Sequence, residues 1–379
     1  MRPRLAALAL LPLVCAVPAH AQPLRPTASG LLFGGVDYVT RQRGDSGFHV
    51  AQTAGLLSVG LTERISAVGE VTATPADSTV AVRVERLYAR YEFADALKLS
   101  VGRFHTLVVY WNTAYHHATW LQTSVSRPEL IRYGTPLVPL HFAGIQAEGV
   151  LPPTPLGLGY VVGVGHGRAT DPADPSRSGE VGRLHDRPAW VARVYARPPG
   201  LGSMALGRVQ VGGSAYLDRA LTRTGAPVDE RILSAHFAWE MEYPEVMAEY
   251  AQLQHRAAGA GGAWATGHAW YVQLGGRMTG KREGLKTYTR AEAVRVADDD
   301  ALLAPLGLSY NGVILGLRWD VVPFAALRAE FRREGPSRRD LSNSLFLQAS
   351  FALAGTLPND RPHAAMERQP GAVPSPHPH

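Results

Sequence analysis

The sequence predicts an all-β fold, a transmembrane antiparallel β-barrel of about 16 strands, and three observations carry that prediction. From Ala28 onward, segments of about 9 to 15 residues alternate apolar and polar side chains with period two. The connections between these segments alternate in length. A single stretch, residues 103–133 (RFHTLVVYWNTAYHHATWLQTSVSRPELIRY), escapes the alternation and reads as a long loop held at or inside a regular scaffold.

The ends and the composition narrow the setting. Arg2 and Arg4, an apolar run over 5–17 and Ala19-His20-Ala21 form a secretory signal peptide over 1–21. The single cysteine, Cys15, lies inside that run behind a Val14 too large for a lipoprotein cleavage box, so the mature chain has no thiol. An exported chain without disulfides needs another source of stability, and a closed ladder of backbone hydrogen bonds supplies one. No later segment approaches the roughly 18 apolar residues of a spanning helix. The formal net charge is +6, of which Arg2 and Arg4 account for two, too little to argue for a nucleic-acid partner. The expected surroundings are outer-membrane lipid outside the barrel and small solutes within it.

The clearest strand is 343–353, with Leu345, Leu347, Ala349, Phe351 and Leu353 on one side and Ser344, Phe346, Gln348 and Ser350 on the other. In 325–334, Leu327, Ala329 and Phe331 oppose Arg328, Glu330, Arg332 and Glu334. A row of four ionisable groups is costly against lipid and natural in a wet lumen. The same parity turns Arg193, Tyr195 and Arg197 inward in 190–197, Arg208, Gln210 and Ser214 inward in 205–217, and Tyr271, Gln273 and Arg277 inward in 270–278. Over 80–93 the outward set changes from Val80, Val82 and Val84 to Leu87, Ala89 and Tyr91, which predicts a β-bulge near Glu85-Arg86.

Short connections fall at 62–63, 94–96, 152–155, 198–202, 243–244, 280–283 and 322–323. Longer ones fall at 41–45, 75–78, 105–136, 168–187, 218–230, 256–262, 298–306 and 335–342, and together they join 16 strands. Short turns on one side and longer loops on the other is the asymmetry of outer-membrane barrels. The barrel is expected over 22–353, followed by a Pro-rich tail over 354–379 with too little apolar bulk to order itself.

The residues LKLSVGRFHT at 97–106, with the long loop after them, resemble the strand-and-loop junction of the phosphate-selective porin-like family, and NSLFLQASFAL resembles the terminal strand of outer-membrane barrels. Leu107 stands where the family usually has Pro, and Leu353 with a tail stands where such barrels usually end in an aromatic residue. The resemblance implies an outer-membrane porin, a third external loop folded inward to constrict the pore, and a homotrimer. It leaves phosphate selectivity open.

The candidate constriction residues of the loop are Tyr110, Trp111, Tyr115, His116, His117, Trp120 and Arg127. Large aromatic faces with polar handles suit burial against a lumen wall, and a short helix is expected over 115–122. His105, His116, His117 and His141 read as hydrogen-bonding, pore-lining groups. His116 and His117 point to different sides of any regular element, and no Cys or H-x-x-H spacing accompanies them, so no metal and no cofactor is expected. The wall candidates are Arg83, Arg86, Arg90, Lys98, Arg193, Arg208, Arg328, Glu330 and Arg332. Either the arginines and Lys98 create an anion-preferring lumen, or Glu85, Glu92, Glu330 and Glu334 neutralise Arg86, Arg328 and Arg332 and the pore is weakly selective. No nucleophile stands beside a base, so no enzyme is expected. The expected function is passive diffusion of small hydrophilic solutes. The alternative is a non-conducting barrel, plugged by its own loop, that binds a ligand or partner.

Overall fold

The computed structural model describes residues 27–50, 53–76, 79–116, 122–152, 154–168, 187–198, 209–222, 224–259, 261–280 and 284–356. The strands are β1 (Thr27–Arg41), β2 (Gly47–Val50), β3 (Thr53–Gly60), β4 (Ile65–Ala76), β5 (Thr79–Ala94), β6 (Leu97–His105), β7 (His141–Val150), β8 (Leu158–His166), β9 (Ala189–Ala196), β10 (Val209–Leu221), β11 (Pro227–Glu240), β12 (Glu245–Ala257), β13 (Ala265–Arg277), β14 (Leu285–Arg295), β15 (Tyr310–Val322), β16 (Ala325–Ser337) and β17 (Asp340–Thr356). β2 and β3 pair with successive parts of β1, Val36–Val39 and Thr27–Phe33, and so form a single stave. The result is a closed antiparallel barrel of 16 staves, as the sequence predicts.

Closure follows from pairing β17 with β1, from Ser29↔Thr356 to Arg41↔Ser344. Each stave thereby satisfies its N–H and C=O groups on both sides, which is the requirement for crossing a hydrocarbon layer without helices. The two faces then separate by chemistry. Leu327, Phe331 and Leu347 are 45%, 41% and 44% exposed on the outside, while Arg328, Glu330 and Gln348 between them are almost fully covered inside. Near the short-turn end, Tyr91, Phe93, Tyr243, Trp319 and Phe324 are exposed, where aromatic side chains favour a membrane boundary. No helix among the described residues is long and apolar enough to cross a membrane.

The bulge lies where the parity change puts it. Glu70 pairs with Arg86 and Val71 with Val84, so Glu85 is the extra residue and turns inward beside Arg86. Other boundaries differ from expectation. β17 runs to Thr356, three residues past the expected barrel end, because Gly30 and Leu31 of β1 continue to pair with Gly355 and Ala354. The connections expected at 75–78 and 335–342 are tight, since Pro75↔Val80 and Ser337↔Asp340 still pair across them. Turn-forming residues there mark the hairpin tip and not a long loop. The expected signal peptide and residues 357–379 of the expected tail lie outside the described residues.

Candidate functional site

The described residues of the loop, 106–116 and 122–140, lie inside the barrel after β6. Among them the one α-helix is α1 (Tyr110–Ala114), and a 3-10 turn follows at Glu129–Ile131. The helix starts five residues before the expected 115–122, and residues 117–121 lie outside the described residues. Its position has a physical cause. Val109 at the N-cap has no side-chain oxygen to offer, and the Glu249 carboxylate of β12 accepts from the backbone N–H groups of Tyr110 and Trp111 instead. A wall residue thus caps the first turn and adds a negative charge where unsatisfied N–H groups gather.

This exchange is repeated around the lumen. Glu330 Oε2 accepts from the N–H of Val125 (3.0 Å) and Ser126 (3.2 Å), Glu292 from the N–H of Glu129 (2.9 Å), and Glu245 from the Thr123 hydroxyl (2.7 Å). Wall guanidinium groups complement them by donating to loop carbonyls. Arg318 and Arg328 both reach the Gln122 oxygen (3.0 and 3.1 Å), Arg290 reaches that of Ser126 (3.0 Å), and Arg193 that of Leu107. Hydrogen bonds to ionised groups are worth more than neutral ones, and inside a covered lumen each is costly to leave unmade.

The loop's apolar residues complete the attachment. Leu107, Val108, Val109, Trp111, Leu130, Ile131, Leu137, Val138 and Leu140 are all buried, in one cluster with wall residues that include Val191, Tyr216, Ile232, Met247 and Leu253. The main hydrophobic core therefore lies in the lumen, between loop and wall. Burial also acts on Glu129, whose carboxyl it pushes up to about 7; Arg132 opposes the rise, and Glu292 and Glu334 add to it.

The sequence-derived candidates separate into groups. Arg86 pairs with Glu70 (2.6 Å), Arg90 with Glu148 (3.0 Å) and Lys98 with Glu92 (3.0 Å), all along the wall, while Arg83 is exposed on β5. Arg193, Arg328 and Glu330 hold the loop, and Arg332 pairs with Glu330 (2.6 Å) while lying over the Phe346 ring. Of the expected row of wet ionisable groups on β16, Arg328 and Glu330 are thus covered by the loop, which supplies the partners water would otherwise give, while Arg332 and Glu334 are half-buried and bond to the wall residues Glu330 and Tyr310. Tyr110 stacks on His236 at 5.0 Å, Trp111 is fully buried, and Tyr115 donates to Glu240. Arg127 lies 3.3 Å over the Tyr133 ring and donates to the carbonyls of His116 and Ile131. A cavity of about 120 Å³ beside α1 is lined by Arg86, Arg90, Tyr110, Arg193 and Arg197 among others. His117, Trp120 and Arg208 lie outside the described residues.

His105, His116 and His141 converge between loop and wall, all three buried. The structure also brings in residues the sequence reading did not single out: Glu245, Glu249, Arg290, Glu292 and Arg318. A usable signal exists for them. Around Ile232-Leu233 and Val246-Met247 the strands are apolar on both faces, which marks a wall packed from inside as well as outside.

No protein-family model and no curated protein sequence matches the chain. Solved structures do resemble it. An in-vitro folded trimer form of OmpT, an outer-membrane protein of Vibrio cholerae, is 13% identical with a TM-score of 0.54, over 86% of this chain and 99% of that one. OmpF of Salmonella typhi in complex with daunomycin is 11% identical with a TM-score of 0.57, over 87% and 98%. The outer-membrane channel DcaP of Acinetobacter baumannii is 13% identical with a TM-score of 0.57, over 86% and 97%. The chain has the porin-like fold of bacterial outer-membrane barrels. At these identities the likeness concerns the fold, and the loop chemistry of this outer-membrane barrel rests on its own residues.

Proposed function

We propose that this outer-membrane barrel is a passive diffusion channel for small hydrophilic solutes, narrowed by residues 106–140. One observation carries the reading: the strand side chains that bond the loop's main chain among the described residues, Arg193, Glu249, Arg318, Arg328 and Glu330 among them, lie on β9–β16, with Arg168 after β8 adding bonds to the carbonyls of Pro136 and Leu137, whereas Arg86 and Arg90 of β5 pair along the wall. A loop whose main chain is fastened chiefly to one part of the wall narrows a lumen without needing to fill it. Arg86 and Arg90 on the other side have Glu70 and Glu148 beside them, so the anion preference they confer is weak. Guanidinium groups suit phosphate and carboxylate alike. The function is transport without catalysis. A trimer like that of the Vibrio OmpT is the proposed assembly.

The second reading is a non-conducting barrel plugged by its own loop, and the apolar cluster between loop and wall favours it. Purified protein in a planar bilayer separates the two. Stepwise conductance, with a reversal potential in a KCl gradient leaning modestly toward Cl⁻, supports the channel. Insertion without conductance supports the plug.

A further inference from the structure

We propose that His105, His116 and His141 form a binding site for a borderline divalent cation of the Zn²⁺ class, which fastens the loop to the wall at the end of β6 and β7. The three residues come from separate places. His105 and His141 are paired neighbours where β6 and β7 meet the loop, and His116 follows α1. Each offers one ligand atom, and these atoms all lie within 4.8 Å of one another. Zn–N bonds of about 2.0–2.1 Å in a tetrahedral site require nitrogens roughly 3.3 Å apart, so closure calls for side-chain rotations and leaves the backbone in place. The rings of His105 and His116 are stacked at 3.7 Å and 30°, and binding would open that stack.

The surroundings are those of an oriented ligand set. Asn112 donates its Nδ2 hydrogens to the carbonyls of Thr106 (3.1 Å) and Leu140 (2.9 Å), which turns its Oδ1 toward His116 Nδ1. An amide oxygen only accepts, so Nδ1 carries the hydrogen and Nε2 of His116 presents its lone pair. Glu85 Oε2 lies 2.8 Å from His141 Nε2, and the Thr72 hydroxyl fixes the other Glu85 oxygen at 2.7 Å. Glu70 Oε2 lies 3.5 Å from His105 Nε2. An amide on the far nitrogen of an imidazole sets its tautomer in metal centres, and the Glu85 and Glu70 carboxylates place negative charge beside His141 and His105. The bulge at Glu85 gains a purpose here, because it brings an additional carboxylate into the barrel behind His141. Of the neighbouring cations, Arg86 donates to the Glu70 oxygen that faces His105 (2.6 Å), and Arg127 donates to loop carbonyls.

The test uses the full mature chain without an affinity tag, in detergent, stripped with chelator and titrated with ZnCl₂ by calorimetry. The background carries His363→Ala, His377→Ala and His379→Ala so that the tail's imidazoles do not contribute. About one equivalent is expected to bind. His116→Ala, which leaves the wall untouched, should weaken binding by well over tenfold, and Glu85→Gln by about tenfold or more. X-ray absorption of the bound Zn²⁺ should show imidazole scattering with first-shell distances of about 2.0–2.1 Å. No binding in this background overturns the proposal, as does binding that survives His116→Ala unchanged or a spectrum without imidazole. The outcome is independent of whether the barrel conducts.

Discussion

Two regions of the lumen wall carry the same residue type on the same inward parity and use it differently. On β5, Arg86 and Arg90 turn along the wall to Glu70 and Glu148. On β9 and β14–β16, Arg193, Arg290, Arg318 and Arg328 reach across to carbonyls of the loop. An inward arginine is therefore neither a selectivity group nor a strut by position alone. The path of the loop decides, since it brings carbonyls within hydrogen-bond distance of one set, even where a wall carboxylate such as Asp320 beside Arg318 (2.6 Å) is also at hand, while Arg86 and Arg90 are held by wall carboxylates. If that is correct, substitutions on the two sides must separate loop attachment from ion preference.

The largest effect is expected from Glu249→Ala. It removes the acceptor for the Tyr110 and Trp111 N–H groups and for the Tyr271 hydroxyl, all inside the core. A buried donor left without its acceptor costs about 1–3 kcal/mol, and three are affected, so hydrogen exchange of residues 107–131 should accelerate sharply while the staves stay protected. Exchange that accelerates equally in loop and barrel would mean that the loop is part of the fold itself. Arg328→Ala should do less, about 1.5–3 kcal/mol, because Arg318 also holds the Gln122 carbonyl.

Acidity gives a weaker effect of defined sign. Burial raises the Glu129 carboxyl to about 7 from an ordinary 4.5, with Arg132 opposing and Glu292 and Glu334 reinforcing the rise. Its contribution to loop docking is complete below about pH 4.5 and is lost as pH rises through about 7. Loop amides, after correction for intrinsic exchange, should be better protected at pH 5 than at pH 8. Glu129→Gln should flatten that difference, and an unaltered profile would assign it to another group. The smallest change in stability, within about 0.5 kcal/mol, is expected for exposed Arg83→Glu. That variant should still move the reversal potential toward cations while leaving loop exchange as in the parent.

The contrast also explains what could be read from the chain. Stave count, facing and the Glu85 bulge are legible because period two is a local consequence of the pleat: Val84 and Leu87 cannot both face lipid without an extra residue between them. Hairpin tips are less legible, as Gly335-Pro336-Ser337 reads as the start of a loop although Ser337 still pairs with Asp340. The partner of each inward charge is non-local. Nothing near Arg328 in sequence announces Gln122, more than two hundred positions away. The convergence of His105, His116 and His141 was hidden for the same reason, because it needs the β6–β7 pairing and the loop's return at once.

The most direct test is single-channel conductance after deletion of residues 110–122. Staves close their own hydrogen-bond ladder, so the shortened chain should still fold and insert, and its conductance should exceed the parent's because the narrowing segment is gone. A deletion variant that inserts and conducts no better than the parent would contradict a constriction by this loop.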